Sequence, residues 1–366
     1  MIQLYNPLIS KQVIQNVNKC LSTNWISSKG PYVEKFEKSF SKFTKIKYSI
    51  SVCNGTAAIH LALLALDIKR NDEIIVPTFT YIASVNPIKY LNAKPVFVDS
   101  DRENFQININ DLRKKISRKT KAIICPHLYG NMTDVHLIKK ICKQKRIFLI
   151  EDCAESLGSY YKKNHSGNFG DIATFSFYGN KTITIGEGGM VCTNNKKIAK
   201  LIFKLKTQGV SSPKRFYQHD IVGYNYRMTN ICAAIGFSQM KIIRSIIKKK
   251  RKIFLIYKNG FKKINNIFLL GESPNVKSSF WLNVILLKNN KLREKLMSFL
   301  KKENIETRPT FGEVHKMPMY DVNKNYKNSK LLSERGICLP SYPHLKLKDQ
   351  KKIISKIKKF INENKF

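Results

Sequence analysis

The feature that most constrains the fold of this 366-residue chain is a repeated alternation of short apolar runs with helical patterns between residues 46 and 193. The runs lack the polar–apolar alternation of a half-exposed strand, which is typical of strands covered by helices on both faces. Strands and helices that alternate in this way form βαβ units and a largely parallel sheet. The predicted strands are 46–52, 73–77, 95–98, 121–125, 147–151, 172–177 and 189–193. The sequence therefore predicts an α/β fold with a mostly parallel sheet of about seven strands and helices on both of its faces.

Helical patterns lie between the first five predicted strands and dominate the chain after residue 193. The predicted helices are 55–67, 79–91, 109–116, 133–143, 196–206, 229–258, 291–302 and 347–364. Strand character returns at 277–286 (KSSFWLNVIL). A chain of this length exceeds one average domain. We therefore expect a large sheet domain over residues 1–245 and a smaller C-terminal α+β domain over residues 246–366.

The charge balance is unusual and on its own would suggest a nucleic-acid partner. The chain has 66 Lys and Arg residues against 25 Asp and Glu residues, a formal net charge of +41. A nucleic-acid-binding protein normally gathers its basic residues on one face or in one arm. Here the lysines are spread over the polar positions of amphipathic helices, and Asn and Ile are also abundant. We therefore expect a compositional bias and no nucleic-acid partner, with a functional basic surface as the open alternative.

Targeting and metal-binding signals are weak throughout the sequence. No apolar stretch approaches the roughly 18 residues that a membrane span needs. The first residues, MIQLYNPLISKQ, lack the charged-then-apolar order of a signal peptide. The eight cysteines form no CxxC pair, so neither a zinc ribbon nor a redox dithiol is supported. We expect a cytoplasmic protein with no membrane segment and no bound metal.

In open parallel sheets, ligands bind beyond the carboxyl ends of the strands, and Asn54-Gly55-Thr56-Ala57 follows the first predicted strand. Gly55 allows the backbone to approach a ligand, and the free N–H groups at the start of the next helix favour an anion. Thr56 adds a hydroxyl donor. The segment is suited to a phosphate, and an N-capped turn without a ligand is the alternative.

A carboxylate, Asp152, directly follows the strand 147–151 in the segment IEDCAES. A carboxylate at this position could bind a metal, orient a histidine or pair with a cationic ring nitrogen. No His or Cys lies nearby at metal-ligand spacing, which favours the ring nitrogen. A helix N-cap is the open alternative.

A lysine follows the strand 172–177 in the segment SFYGNK, and a glycine-rich turn over residues 186–189 comes soon after it. The surroundings of Lys181 contain aromatic residues and glycines but few charges. Such a setting should desolvate the amine and make it more nucleophilic, as Schiff-base chemistry requires. A solvated loop lysine is the alternative.

A fourth polar segment, GYNYRMTN (223–230), opens the long predicted helix, which Thr229 or Asn230 would cap. Asn225 and Arg227 are free to reach an anion, also across a subunit interface. Together with Tyr81, an aromatic residue beyond the strand 73–77, the four segments describe a pyridoxal-phosphate site. They supply a phosphate cradle, a carboxylate for the pyridine nitrogen, a lysine for the aldehyde and a ring to stack on the cofactor.

The chain resembles the sugar-nucleotide aminotransferases of the DegT/DnrJ/EryC1/StrS family, which are fold type I pyridoxal-phosphate enzymes, nearly from end to end. The segments that carry the resemblance are CNGTAAIHLALLAL (53–66), VPTFTYIASVNPI (76–88), IEDCAESLGSYY (150–161), FGDIATFSFYGNKTITIGEGGM (169–190), GYNYRMTNICAAIGFSQM (223–240), TRPTFGEVHKMPMY (307–320) and ICLPSYPHL (337–345). The resemblance implies an aspartate-aminotransferase-like fold with pyridoxal 5'-phosphate as the cofactor.

The resemblance also implies roles for individual residues. Lys181 would hold the cofactor and shuttle a proton, and Asp152 would keep the pyridine nitrogen protonated. Glu155 stands where many relatives have a glutamine that bonds the ring hydroxyl, so its carboxyl would have to be protonated or indirectly bridged. The remaining cofactor contacts would be Gly55, Thr56, Ala57 and Ser176 at the phosphate, Tyr81 on the ring, and Asn225 from the other subunit. The residues expected to contact the sugar nucleotide are His219, Arg227 and Arg308.

The resemblance further implies a reaction and a substrate class. Some relatives have histidine in place of Lys181 and remove a hydroxyl group, so lysine indicates a transaminase. The segments HLYGNMTD (127–134) and HDIVGYNYRMTNICAAIG (219–236) are most similar to members that form GDP-perosamine for surface polysaccharide. We therefore expect transfer of the amino group of L-glutamate to C4 of GDP-4-keto-6-deoxy-D-mannose, by a homodimer or dimer of dimers with shared active sites.

Two alternatives stay open at this stage. A 4-aminotransferase acting on a UDP- or dTDP-linked 4-keto-6-deoxyhexose would share much of the same sequence. A non-catalytic, basic nucleic-acid-binding or regulatory protein on the same fold is a more distant alternative.

Overall fold

The computed structural model describes residues 1–211 and 217–364. The strands are β1 (Tyr48–Val52), β2 (Glu73–Pro77), β3 (Lys94–Val98), β4 (Thr120–Pro126), β5 (Phe148–Asp152), β6 (Tyr160–Tyr161), β7 (Asn164–His165), β8 (Ile172–Ser176), β9 (Gly189–Thr193), β10 (Ile267–Leu269), β11 (Val276–Lys277), β12 (Asn283–Leu287), β13 (Arg308–Pro309) and β14 (Gly336–Leu339). The described chain forms a seven-stranded central sheet in the order β1-β9-β8-β5-β4-β2-β3. β9 is antiparallel to both of its neighbours, and the other pairs are parallel. The predicted mostly parallel sheet is thus confirmed.

Helices cover both faces of this sheet. The helices are α1 (Lys11–Ser22), α2 (Pro31–Thr44), α3 (Gly55–Ala65), α4 (Asn86–Tyr90), α5 (Ile109–Lys115), α6 (Val135–Lys145), α7 (Lys196–Lys206), α8 (Asn230–Phe261), α9 (Lys291–Lys302), α10 (Lys327–Arg335) and α11 (Leu347–Glu363). Alternate residues of β2 face opposite sides, as the strand period requires: Ile74 and Val76 pack with α3, and Ile75 packs with α6. Across residues 1–211 and 217–364, no helix has the length and apolar character needed to span a membrane.

Two segments differ from the prediction in their details. The predicted helix 79–91 is a 3₁₀ turn at Ile82–Ser84 followed by the short helix α4. Pro87 explains the break, because a proline has no N–H and is tolerated only in the first turn of a helix. The predicted strand 277–286 is divided between the end of β11 and most of β12.

The C-terminal part consists of a four-stranded sheet, in the order β10-β12-β14-β13, packed against α9, α11 and the second half of α8. α8 is continuous, and its first half packs on the large sheet. Residue 245, the predicted boundary, therefore lies inside one helix, because the helical pattern runs through it without a break. The N-terminal residues also contact this part, since Ile2 pairs with Ile305. The division into domains 1–245 and 246–366 stays a prediction.

Candidate active site

A cavity of about 460 Å³ lies at the carboxyl ends of the parallel strands. This volume is within the range of small-molecule sites. The structure brings together most of the residues that the sequence predicts for a site. Those that line the cavity are Gly55, Thr56, Tyr81, Asp152, Glu155, Ser176, Lys181 and Arg308.

One end of the cavity is formed by the start of α3. Asn54 caps this helix, and its Oδ1 accepts the backbone N–H of Ala57 at 2.8 Å. That N–H is therefore already bonded, and Ala57 is not among the residues lining the cavity. A Cβ atom at Gly55 would lie 2.9 Å from the Cβ of Ser176, so glycine is needed where α3 meets the end of β8. The unpaired N–H groups of a first helical turn make this end suitable for an anion.

A fixed carboxylate lies at the end of β5. Asp152 is buried, and its Oδ2 accepts the hydroxyl of Ser84 at 2.7 Å, while Oδ1 accepts the backbone N–H of Ala154 at 3.1 Å. Two donors thus set the orientation of this side chain. A buried carboxylate with a fixed orientation can pair with a cationic ring nitrogen.

The amine of Lys181 lies between an acid and an aromatic ring. Its Nζ is 3.5 Å from Glu155 Oε1 and 4.3 Å from the centre of the Trp281 ring. The Lys181 side chain is only 12% exposed. The prediction that this lysine is desolvated therefore agrees with its surroundings.

Glu155 is almost fully buried, and its Oε2 accepts the backbone N–H of Tyr129 at 2.9 Å. Burial raises the pKa of Glu155 to about 7, although the charge of Lys181 opposes this rise. At neutral pH the carboxyl group is therefore close to the midpoint of its titration. It can donate a hydrogen bond when protonated and pair with Lys181 when ionised.

Three aromatic residues that the sequence reasoning missed form one wall of the cavity. The ring of Tyr129 stacks between Trp281, at 6.2 Å, and Phe311, at 5.4 Å. Tyr129 follows β4, so the rule that ligands bind beyond the carboxyl ends of parallel strands could have identified it. Trp281 and Phe311 come from the C-terminal part of the chain, where that rule gives no signal.

His127, which lines the cavity, forms a buried group with Glu151 and Cys153, with potential ligand atoms within 4.8 Å of one another. His127 Nε2 is 2.9 Å from Glu151 Oε2. Glu151 also accepts backbone N–H groups from Gly167, Phe169 and Gly170. Burial by itself raises the pKa of Glu151, but the hydrogen bonds from His127 and the backbone bring it below its ordinary value. The carboxylate is therefore already saturated by donors, which is typical of a structural anchor.

Of the described residues that line the cavity, three have a buried polar atom without a hydrogen-bond partner. These atoms are His127 Nδ1, Thr174 Oγ1 and Asn180 Oδ1. Buried polar atoms without partners are costly, so the cavity is suited to a polar ligand. An anion cradle, a carboxylate and a poorly solvated amine fit the phosphate, the ring nitrogen and the aldehyde of pyridoxal 5'-phosphate.

Besides Ala57, three more predicted residues lie outside the cavity of their own chain. Asn225, Arg227 and His219 are exposed in the segment before α8. Arg227 Nε donates to Asn225 Oδ1 at 2.9 Å, and His219 Nδ1 lies 2.8 Å from the carbonyl oxygen of Gln208. Any contact between these side chains and a bound cofactor would therefore need a second subunit.

Comparison with known proteins gives matches over nearly the whole chain. The sequence model of the DegT/DnrJ/EryC1/StrS aminotransferase family matches residues 7–358. The chain is 49% identical to the GDP-perosamine synthase of Escherichia coli O157:H7, over 94% of each chain. It is 43% identical to the GDP-perosamine synthase of Vibrio cholerae, over 99% of this chain and 100% of the relative. A solved structure from Streptococcus pneumoniae, assigned as a sugar aminotransferase and in its PLP form, superposes with a TM-score of 0.93 at 26% identity, over 98% of each chain.

Proposed function

Because the chain belongs to the DegT/DnrJ/EryC1/StrS aminotransferase family, we propose that it transfers the amino group of L-glutamate to C4 of GDP-4-keto-6-deoxy-D-mannose and so forms GDP-perosamine. The two relatives named as GDP-perosamine synthases support this substrate. The proposal rests on the Lys181 amine, which lies 3.5 Å from Glu155 in the same cavity as Asp152. A retained lysine supports amine transfer in place of removal of a hydroxyl group.

The cavity has the groups needed to hold pyridoxal 5'-phosphate, and the PLP form of the solved relative supports this cofactor. Gly55, Thr56 and Ser176 would hold its phosphate at the start of α3. Asp152, held by Ser84, would pair with the ring nitrogen. When bound, the cofactor supplies an electron sink that stabilises negative charge next to the reacting carbon.

Two side chains would have separate proton roles, Lys181 at the reacting carbon and Glu155 at the ring hydroxyl of the cofactor. The Lys181 amine, whose side chain is only 12% exposed, would move a proton from Cα of glutamate. Glu155 would bond the ring hydroxyl in its protonated form, which its pKa of about 7 makes accessible at neutral pH. Burial is the main cause of this pKa, so the acid depends on the cavity for its role.

The substrate would enter at the rim of the cavity. Tyr81 and Arg308 line the cavity and are exposed to solvent. Tyr81 would stack on the cofactor ring, and Arg308 would contact the anionic diphosphate of the sugar nucleotide. The net charge of +41 would speed the encounter with such an anion.

We also propose a homodimer with shared active sites, in which Asn225 contacts the partner's cofactor and Arg227 and His219 contact its substrate. These three side chains are exposed and lie outside the cavity of their own chain. Val222, close to them in sequence, is 86% exposed. Trp25 is also half exposed, and its carbonyl oxygen accepts the side chain of Asn230 at the start of α8. Tyr217 and Ile221, in the same segment as Val222, are exposed as well, and such a run of exposed apolar residues is typical of a protein–protein interface.

A direct assay of three substrates tests the proposal. Pure protein with pyridoxal 5'-phosphate and L-glutamate is incubated in parallel with GDP-4-keto-6-deoxy-D-mannose and with the UDP- and dTDP-linked 4-keto-6-deoxyhexoses. We expect a GDP-linked 4-amino sugar and 2-oxoglutarate, identified by mass spectrometry and NMR. A product from the UDP- or dTDP-linked sugar alone would identify that sugar as the substrate and contradict the GDP-linked one.

A matched pair of variants tests the role of Lys181. Lys181→Ala should abolish both turnover and the yellow colour of the bound cofactor. Lys248→Ala removes an exposed lysine of α8 and should leave both unchanged. A colourless wild-type protein that turns over none of the three sugars would contradict the proposed function.

A further inference from the structure

One lysine of α8, Lys250, is completely buried, whereas its neighbours Lys248 and Lys249 are exposed. Burial of an ammonium group is costly unless the charge is paired and hydrogen-bonded. No carboxylate among the described residues pairs with this amine. Burial lowers the pKa of Lys250 to about 7. A buried amine with this energetic cost is a candidate for a specific role.

The amine of Lys250 connects three distant segments. Its Nζ donates to the carbonyl oxygen of Trp281 at 3.0 Å and to that of Ser341 at 2.5 Å. It also lies 5.0 Å from the centre of the Tyr5 ring. The three partners belong to the N-terminal segment, to the residues before β12 and to the residues after β14. One buried group thus connects three segments, one of which carries Trp281 of the cavity wall.

Two of these partners contact the backbone next to the reactive lysine. The indole N–H of Trp281 donates to the carbonyl oxygen of Asn180 at 2.7 Å, and the hydroxyl of Tyr5 donates to the carbonyl oxygen of Lys181. The Trp281 ring also lies 4.3 Å from the Lys181 amine. Two consecutive carbonyl groups are therefore held by the side chains of two residues that Lys250 contacts, Trp281 at its carbonyl oxygen and Tyr5 at its ring.

We propose that Lys250 is a positioning residue for the Lys181 amine, acting through Trp281 and Tyr5. The proposal rests on the proposed function, because it takes Lys181 as the reacting group. Loss of the hydrogen bond from Lys250 would free the backbone of Trp281 and change the position of its indole. The peptide that carries Lys181 would lose a fixed donor, and its amine would lose the aromatic face on which it packs. A displaced reacting group lowers the rate of the chemical step, and we expect little effect on substrate affinity.

Three variants separate positioning from general stability. Lys250→Met keeps the length and apolar character of the stem but removes the donor. Tyr5→Phe keeps the ring and removes the hydroxyl that bonds the carbonyl oxygen of Lys181. Lys206→Met is the control for loss of a buried amine: Lys206 donates to the carbonyl oxygen of Ser51 at 2.8 Å, lies 3.5 Å from Glu37 and does not line the cavity.

The measurements are kcat, KM, Tm and the pH midpoint at which the visible absorbance of the cofactor-loaded enzyme changes. For Lys250→Met we expect kcat to fall about tenfold or more with KM changed less than about threefold. For both Lys250→Met and Tyr5→Phe we expect the midpoint to move by at least about half a pH unit, since it reports the surroundings of the Lys181 amine. Lys206→Met should lower Tm without moving the midpoint.

The outcomes distinguish this inference from the proposed function. A wild-type midpoint and kcat in Lys250→Met would overturn the positioning role, as would an equal shift of the midpoint in Lys206→Met. If Lys250→Met does not fold, Tyr5→Phe decides, because an unchanged midpoint there would overturn the role. A wild-type protein without the visible absorbance or turnover would instead contradict the proposed function itself.

Discussion

The amine of Lys181 lies 3.5 Å from the carboxyl group of Glu155, a buried acid in a cavity lined by aromatic rings. A lysine next to a carboxyl group lowers its pKa, because the positive charge favours the ionised form, whereas burial raises it. Here burial outweighs the lysine and raises the pKa of Glu155 to about 7. This pair therefore gives the active site a proton that can leave or return close to neutral pH.

The first prediction concerns Glu155→Gln in the cofactor-free protein. The pKa of the folded carboxyl group, about 7, is above the value of about 4.3 expected in the unfolded chain. The folded state therefore binds more protons between these pH values, and its stability falls as the pH rises through them. Relative to Glu155→Gln, the wild type should lose on the order of 1–3 kcal/mol of unfolding free energy between pH 4.5 and pH 7. Urea unfolding of both proteins at several pH values measures this difference, and parallel curves would contradict it.

The second prediction concerns Lys250→Met and has the opposite sign. The pKa of the folded lysine, which burial lowers to about 7, is below the value of about 10.4 expected in the unfolded chain. The unfolded chain therefore binds more protons between these values, and stability rises with pH over that window. Above pH 7, the free energy of unfolding of the wild type should therefore rise relative to that of Lys250→Met by up to about 1.4 kcal/mol per pH unit.

Denaturant unfolding of this pair at pH 7, 8 and 9 measures the effect. The two proteins share nearly all of the net charge of +41, so general charge repulsion largely cancels in the difference. A difference in unfolding free energy that stays constant from pH 7 to 9 would show that the buried amine has an ordinary pKa.

The third prediction concerns the anion cradle at the start of α3. In Gly55→Ala the new Cβ would lie 2.9 Å from the Cβ of Ser176, so the helix start and the end of β8 must move apart. We expect the affinity for pyridoxal 5'-phosphate to fall about tenfold or more, measured by absorbance titration, because donors to a phosphate need fixed positions. Gly271→Ala is the matched control, since a Cβ there meets nothing within 4 Å. Equal affinities for the two variants would exclude a phosphate at this helix.

Much of the cavity could be predicted from the sequence, because ligands bind beyond the carboxyl ends of parallel strands. Gly55, Asp152 and Lys181 lie at or beyond the carboxyl ends of β1, β5 and β8, and parallel strands bring these ends to one edge. Trp281 could not be found in this way, because it reaches the cavity through long-range packing of the C-terminal part, and Lys250 contacts the cavity wall through Trp281. The same limit applies to the boundary near residue 245, where a helical pattern does not reveal which sheet each half of α8 covers.

The last prediction tests whether Asn225 acts across a dimer. Lys181→Ala and Asn225→Ala should each be impaired alone, the first because it lacks the reacting amine and the second because it lacks a cofactor contact. In a mixed dimer of the two variants, one cavity carries both substitutions. The other cavity has an intact Lys181 and receives an intact Asn225 from the partner. The mixed dimer, isolated after coexpression with two affinity tags, should therefore have about half of the wild-type activity per dimer, because one of two sites is complete.

If Asn225 instead served its own chain, the cavity with Lys181 would always lack Asn225, and the mixed dimer would be no more active than the average of its parents. Sedimentation of the wild type as a monomer under assay conditions would also rule out the shared site.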